Sequence, residues 1–203
     1  MPRISEQDMA QTRQRIVDAA SPRFRTDGID GIGISALMKG AGMTHGGFYN
    51  HFASKDALAV AVCEDAFAAS LATLARTVDE ADPDRPSLAE TVADYLSPEH
   101  RDMLDGGCPS AALVSDAGRH GPAIQAAYAK GVAGYIAGFD AAQQLEATER
   151  NEVLDPEEAR RRSIALLSEI VGAILLSRAI RHVDPDLSDE ILAVNRQRHD
   201  HEC

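Results

Sequence analysis

Aromatic side chains are scarce in this 203-residue chain: tryptophan is absent, and four Tyr and five Phe make up 4% of the residues. Any core must therefore be built mainly from aliphatic side chains. With 44% of the residues hydrophobic there are enough of them for a substantial interior. Long alternating runs of β-branched residues are missing too, while alanine is abundant. That combination excludes an extended sheet and predicts an all-α chain. Cysteine is limited to Cys63, Cys108 and Cys203, without paired or metal-ligand spacing. No disulfide framework and no zinc site are implied, and a reducing, cytoplasmic setting is expected. The N-terminal MPRISEQDMA lacks an apolar signal region. The longest greasy stretch, Ile164 to Leu176, contains Glu169 and reads as too short to cross a bilayer, so no membrane role is expected. No internal repeat, phosphate-binding loop, metal cluster or nucleophile–base pair is found, which leaves no cofactor, no metal and no catalytic residue to assign.

Positive charge is also in short supply, with 20 Lys and Arg against 32 Asp and Glu and a net charge of −12. The deficit is uneven. Residues 1–60 hold seven basic and six acidic side chains, a net of +1, whereas residues 61–203 hold thirteen and twenty-six, a net of −13. An acidic body is repelled by phosphate, so only the N-terminal part is suited to approach a nucleic acid.

That part is organised around Ile34 to Leu58, ISALMKGAGMTHGGFYNHFASKDAL. Leu37, Met38 and Ala41 give a short apolar helical stripe, and Gly40-Ala41-Gly42 supplies a helix end and a sharp turn. Thr44 is placed to cap a second short helix carrying His45 to Phe52. Phe48 and Phe52, at i and i+4, face inward, which leaves Thr44, His45, Tyr49 and Asn50 on a polar face fitted to a DNA groove. Ser54 caps the following helix and puts Lys55 in its first turn, where the helix dipole disfavours a cation and a phosphate would explain it.

Together with Thr12-Arg13, Ala19-Ala20, Phe24, Gly28, Ala41-Gly42, Tyr49, His51-Phe52 and Ser54-Lys55, this stretch resembles the helix-turn-helix of the TetR/AcrR family of bacterial regulators. The resemblance covers roughly residues 10–60. It implies a DNA-binding domain at 1–53 and a helical ligand-binding and dimerisation domain at 54–203. It further implies a homodimer on a palindromic double-stranded operator, paired through the last two long helices (about 155–198). By the same resemblance Thr44, Tyr49, His51 and Lys55 match positions that hold phosphates, and His45, Gly46, Gly47 and Asn50 match positions that face bases. Two departures stand out: Gly33 replaces the usual Ser or Thr before the second helix, and Gly46-Gly47 weakens the reading helix while letting its backbone come close to DNA.

Further along, the first helix should run from about Asp8 to Thr26, with Pro22 inside it and Arg3 on a loose arm before it. Later helices are expected from Ser54 to about Val78, from Ser87 with Glu90 as a capping box, from Gly121-Pro122 to about Glu149, from Asp155-Pro156, and from Pro185. Gly131, Gly134 and Gly138 interrupt the Pro122 helix for close packing or for ligand room. Arg160 to Arg162 reads as a charge run facing solvent or an interface. From Ile164 to Ile180 the chain is apolar nearly all round, which calls for burial on both sides, as at a subunit interface.

A small-molecule effector of unknown identity is expected in a cavity lined by Phe67, Tyr95, Met103, Cys108, Leu113, Tyr128, Tyr135 and Phe139. Cys108, in Gly106-Gly107-Cys108-Pro109 ahead of a helix, is either a reactive thiol that senses electrophiles or a small buried residue in a tight turn. The function implied is a ligand-responsive repressor released from its operator by a small molecule or electrophile. The alternatives are a TetR-like adaptor or activator working through protein contacts, and a thiol enzyme centred on Cys108, which lacks an evident base because His100 and His120 are the only histidines near it in the sequence.

Overall fold

A computed structural model describes residues 5–200; Arg3 and Cys203 lie outside them. Every regular element among the described residues is helical. In chain order they are α1 (Glu6–Asp27), α2 (Ile34–Gly40), a 3-10 segment (His45–Asn50), α3 (Lys55–Leu74) with a 3-10 extension (Ala75–Val78), α4 (Leu88–Tyr95), α5 (Pro98–Asp102), α6 (Pro109–Ala112), α7 (Val114–Arg119), α8 (Pro122–Glu149), α9 (Pro156–Ile180) and α10 (Pro185–Asp200).

The chain gathers into two compact units. The first holds residues 5–68 and Leu104–Ala129. Its interior is made by Ile16, Val17, Ala20 and Phe24 of α1 with Leu37, Met38, Phe48, Phe52, Leu58 and Val62, all buried. α1 begins earlier than the apolar pattern suggests, because Ser5 and Asp8 form a reciprocal capping box: the Asp8 N–H donates to Ser5 Oγ while the Asp8 carboxylate accepts from the Ser5 N–H. Pro22 lies within this helix without ending it.

The second unit comprises Ala69–Met103 and residues 130–200. Its starts were set by local chemistry. Ser87 and Glu90 form the expected capping box, and Pro156 occupies the first turn of α9. Asp155 holds the N-cap position of α9 but its side chain makes no capping bond. Gly134 and Gly138 are used for packing. A Cβ at Gly138 would come within 2.5 Å of Leu74 Cδ2, and one at Gly134 within 2.6 Å of Leu71 Cδ1. Arg160, Arg161 and Arg162 face Asp140, Glu157 and Glu158 on the surface.

The apolar helices are longer than the greasy stretch of the sequence suggests, which corrects the expectation drawn from it. By length and composition alone, Lys55–Val78 and Pro156–Ile180 are each long and apolar enough to cross a membrane. In the fold, 44% and 39% of those windows are buried within the protein, as in core helices.

A polar network underlies the α9–α10 pairing. Ser177 and Ser188 are fully buried and their hydroxyls lie 2.7 Å apart. Arg101 donates to Ser188 Oγ and to both Asp102 and Asp189, and Arg178 donates to the backbone carbonyls of His100 and Arg101. His100 lies in this network with its ring 4.5 Å from Tyr95 and its Nε2 buried without a hydrogen-bond partner. Burial first, and the Arg178 charge second, push its pKa down to about 4 from 6.5. The folded value lies below the unfolded one, so the unfolded chain takes up the proton first. Stability is full above about pH 6.5 and falls as the pH drops toward about 4. A melting-temperature series across that window should show the decline, and His100→Asn should remove part of it. An identical decline in the variant would exclude His100 as a cause.

Candidate nucleic-acid interface

The turn that organises the first unit closes by backbone geometry. Met43 N–H donates to the Met38 carbonyl and Gly42 N–H to the Lys39 carbonyl, which is the paired pattern of a Schellman ending. Gly42 makes it possible with a φ of 73°, a left-handed conformation that a side chain would disfavour by roughly 1–2 kcal/mol. Arg15 of α1 reaches across and donates to the Ala41 carbonyl at 3.0 Å, which ties the turn to the first helix.

The segment expected as a second α-helix is a six-residue 3-10 helix instead. Its bonds run from Gly47 N–H to the Thr44 carbonyl and from His51 N–H to the Phe48 carbonyl. Two adjacent glycines, each about 1 kcal/mol less helix-favouring than alanine, remove the propensity that would have propagated an α-helix from Thr44. The same geometry overturns the capping role of Thr44. The residue sits at the N-cap, but its side chain makes no capping bond. Gly33, as expected from its lack of a side chain, offers α2 no side-chain cap either. Ser54 does cap α3, accepting from the Ala57 N–H at 3.1 Å.

The inward and outward sets of this segment separate cleanly. Phe48 and Phe52 are buried with ring centroids 5.8 Å apart, Tyr49 stands edge-on to Phe48 at 5.3 Å, and the Arg13 guanidinium covers Phe52 at 4.6 Å. Thr44, His45, Gly46, Tyr49 and Asn50 are exposed, while Gly47, His51 and Lys55 are half-buried. Tyr49 is 60% exposed, an unusual position for a ring without an external partner. His45 is held from α2, with Ser35 Oγ 2.6 Å from its Nδ1. That contact spans ten residues and two elements, and sequence reading did not anticipate it.

Residues 104–129 pack into the same unit. Arg25 donates to the Gly107 carbonyl at 2.7 Å, Asp116 accepts from the Ile29 N–H, and His120 sits between Asp30 and Asp56 at 3.6 Å from each. Cys108 is 5% exposed, with its sulfur 3.1 Å from Ser110 Oγ, and the helix it precedes is a single turn. Tyr128 donates to the Ser110 carbonyl at 2.7 Å and meets the Phe67 ring edge-on at 5.5 Å. Burial is the main reason the Tyr128 hydroxyl is pushed up to about 12; Cys108 and Cys63 add to it. Burial, followed by Glu64, likewise pushes the Cys63 thiol up to about 11.

Of the expected cavity lining, then, Phe67, Cys108 and Tyr128 come together in the first unit, where Leu113 is also buried. Tyr95, Met103, Tyr135 and Phe139 belong to the second. There Tyr135 and Phe139 neighbour each other at 6.1 Å and the Tyr135 hydroxyl bonds Ser70. Met103 is half exposed and stands at the surface, because the chain leaves α5 there. The second unit also carries a groove of about 900 Å³ that sequence reading missed, bordered by Val92, Gln143, Glu146, Leu166, Arg198 and His199 among others. None of the eight expected residues borders it. Its walls come from four helices, a convergence that no local sequence signal announces.

An all-helical chain whose N-terminal unit presents this turn is similar, over that segment, to the TetR family of bacterial regulators. Residues 16–62 match the family model described as bacterial regulatory proteins, tetR family. Among curated proteins, the chain is 35% identical over 65 residues to the HTH-type transcriptional repressor Rv1474c of Mycobacterium tuberculosis, covering 32% of this chain and 35% of that protein. It is 31% identical over 65 residues to the HTH-type transcriptional repressor AcnR of Corynebacterium jeikeium, covering 32% and 34%. The match thus spans about a third of the curated relatives. Over nearly the whole chain the fold resembles that of reduced Escherichia coli NemR, with a TM-score of 0.75 and 24% identity, covering 93% of this chain and 95% of that one. Bacillus subtilis FadR in complex with stearoyl-CoA is similar at a TM-score of 0.62 and 17% identity, covering 90% and 96%.

Proposed function

We propose that this protein is a dimeric transcriptional repressor that binds a palindromic operator and is released by a small molecule or electrophile. Residues 1–53 form the DNA-reading domain and 54–203 the effector and dimerisation domain. The observation that carries the reading is the separation around residues 44–55: two buried phenylalanines fix a short rigid segment whose exposed side is Thr44, His45, Tyr49 and Asn50. The repressor names of the two relatives that share this segment support it. Thr44, Tyr49, His51 and Lys55 hold phosphates, and His45, Gly46, Gly47 and Asn50 face base edges in the major groove.

Dimerisation proceeds through α9 and α10. Eight large hydrophobic side chains are exposed among the described residues, and five of them, Ile164, Leu176, Val183, Leu187 and Val194, lie in this stretch. Such a concentration marks a protein-binding face. The effector is received in the helical body, and the buried neighbourhood of Phe67, Cys108 and Tyr128 is its candidate receptor in the first unit. Ligand binding shifts the population between dimers able and unable to engage both half-sites.

The phosphate assignments have a direct test. Lys55→Ala should reduce the slope of log affinity against log salt by about one, because one phosphate is then no longer neutralised. Tyr49→Ala should weaken binding to all sequences alike. Anisotropy titrations at several salt concentrations read both. An unchanged slope for Lys55→Ala would remove it from the phosphate set.

A further inference from the structure

We infer that Ser35 is a positioning residue for base readout: it holds the His45 ring so that Nε2 presents a hydrogen-bond donor to the acceptor edge of a purine in the major groove. The inference rests on the DNA-reading assignment above and adds to it a residue, an atom and a chemistry. Ser35 is the second residue of α2, and His45 is the first of the 3-10 segment beyond the turn. The 2.6 Å contact joins the two elements at their exposed edges, since both side chains face outward. It engages Nδ1 and leaves Nε2, on the other side of the ring, for an external partner. The Tyr49 ring, 6.3 Å from the His45 ring, borders the same surface.

The choice of a hydroxyl decides the chemistry. A serine oxygen can donate to a neutral imidazole at Nδ1 or accept from Nδ1–H of the imidazolium. In the first case the proton of the neutral ring is on Nε2, and in the second both nitrogens carry one. Nε2 is therefore a donor in the imidazolium and in the neutral ring to which Ser35 donates; only a neutral ring that donates from Nδ1 to Ser35 turns Nε2 into an acceptor, which a preference for cytosine would reveal. A carboxylate at position 35 would favour the charged ring alone, and an alanine would leave the ring free to rotate. In the major groove the acceptors open to such a donor are N7 of either purine, O6 of guanine and O4 of thymine, while cytosine offers a donor at the corresponding edge; N7, common to both purines, is the partner assigned to Nε2.

The test uses the full-length protein and its selected operator, with affinities measured for every single-base change in one half-site. Wild type should prefer a purine at one position by roughly tenfold over cytosine, the size of one well-oriented hydrogen bond. His45→Ala should erase that preference. Ser35→Ala should reduce it at that position only, and Ser35→Thr, which keeps the hydroxyl, should restore it. The exposed position of Ser35 leaves the fold intact, which thermal melting checks. A Ser35→Ala profile identical to wild type would overturn the positioning role. A preference for cytosine at the His45-dependent position would overturn the donor assignment. Failure of wild type to discriminate among any DNA sequences would instead overturn the DNA-reading assignment itself, a separate result.

Discussion

On the proposed dimer, Leu176→Glu is expected to give a monomer and to weaken operator binding by about a hundredfold or more. Leu176 is 62% exposed on α9, a helix whose other side is committed to the interior through Leu167, Ile170, Ala173 and Ile174. A leucine left that open gains little in the monomer. Against a symmetry mate it would be removed from water, and a glutamate there would bring two carboxylates into an apolar contact. The effect on DNA is larger than the effect on one head, because a dimer engages the second half-site as an intramolecular step. Linking two sites raises apparent affinity by about 10²–10⁴ without any new contact. Sedimentation at several concentrations reads the oligomer, and titration on full and half operators reads the linkage. A variant that stays dimeric would move the interface away from this face.

Phe48→Ala is expected to destabilise the N-terminal unit by about 3–5 kcal/mol, the usual range for deleting a buried phenylalanine. Phe48 is fully buried, contacts both Phe52 and Tyr49, and its carbonyl accepts from the His51 and Phe52 N–H groups. It is the side chain that anchors the 3-10 segment, which has few other means of holding its shape with Gly46 and Gly47 at its start. Loss of the ring should therefore abolish DNA binding through unfolding, visible as a lower denaturant midpoint. Tyr49→Ala makes the contrast: one position on and exposed, it should weaken DNA binding with the midpoint almost unchanged. Equal midpoints for the two variants would contradict the inward and outward assignment of these neighbours.

What could be read from the sequence was what local chemistry determines. Ser87 with Glu90, Pro122, Pro156 and Pro185 announced helix starts within a residue or two, since capping and proline act over a few positions. Phe48 and Phe52 at i and i+4 gave the buried side of the reading segment, and the exposed side followed by subtraction. The type of helix did not follow: Gly46-Gly47 announced only a weakened α-helix, and the choice of 3-10 bonding also depends on how the turn and the interior hold Thr44 to His51. Ser35 with His45 was hidden for a related reason: the partners are ten residues apart and meet only after the Gly42 turn closes. Cys108 looked like a thiol at a helix start, and it is one, but its burial comes from packing contributed by distant segments. The groove beside α4, α8, α9 and α10 had no signature for the same reason.

The central claim is sequence-specific DNA binding by the N-terminal unit, and the most direct test is an anisotropy titration against the DNA upstream of the protein's own gene, with a random-sequence selection run in parallel and salt varied. The expected result is tight binding to a palindromic site, weakening steeply as salt rises and far exceeding the affinity for unrelated DNA. Equal affinity for all sequences, or no binding to either the upstream DNA or the selected pool, would contradict it.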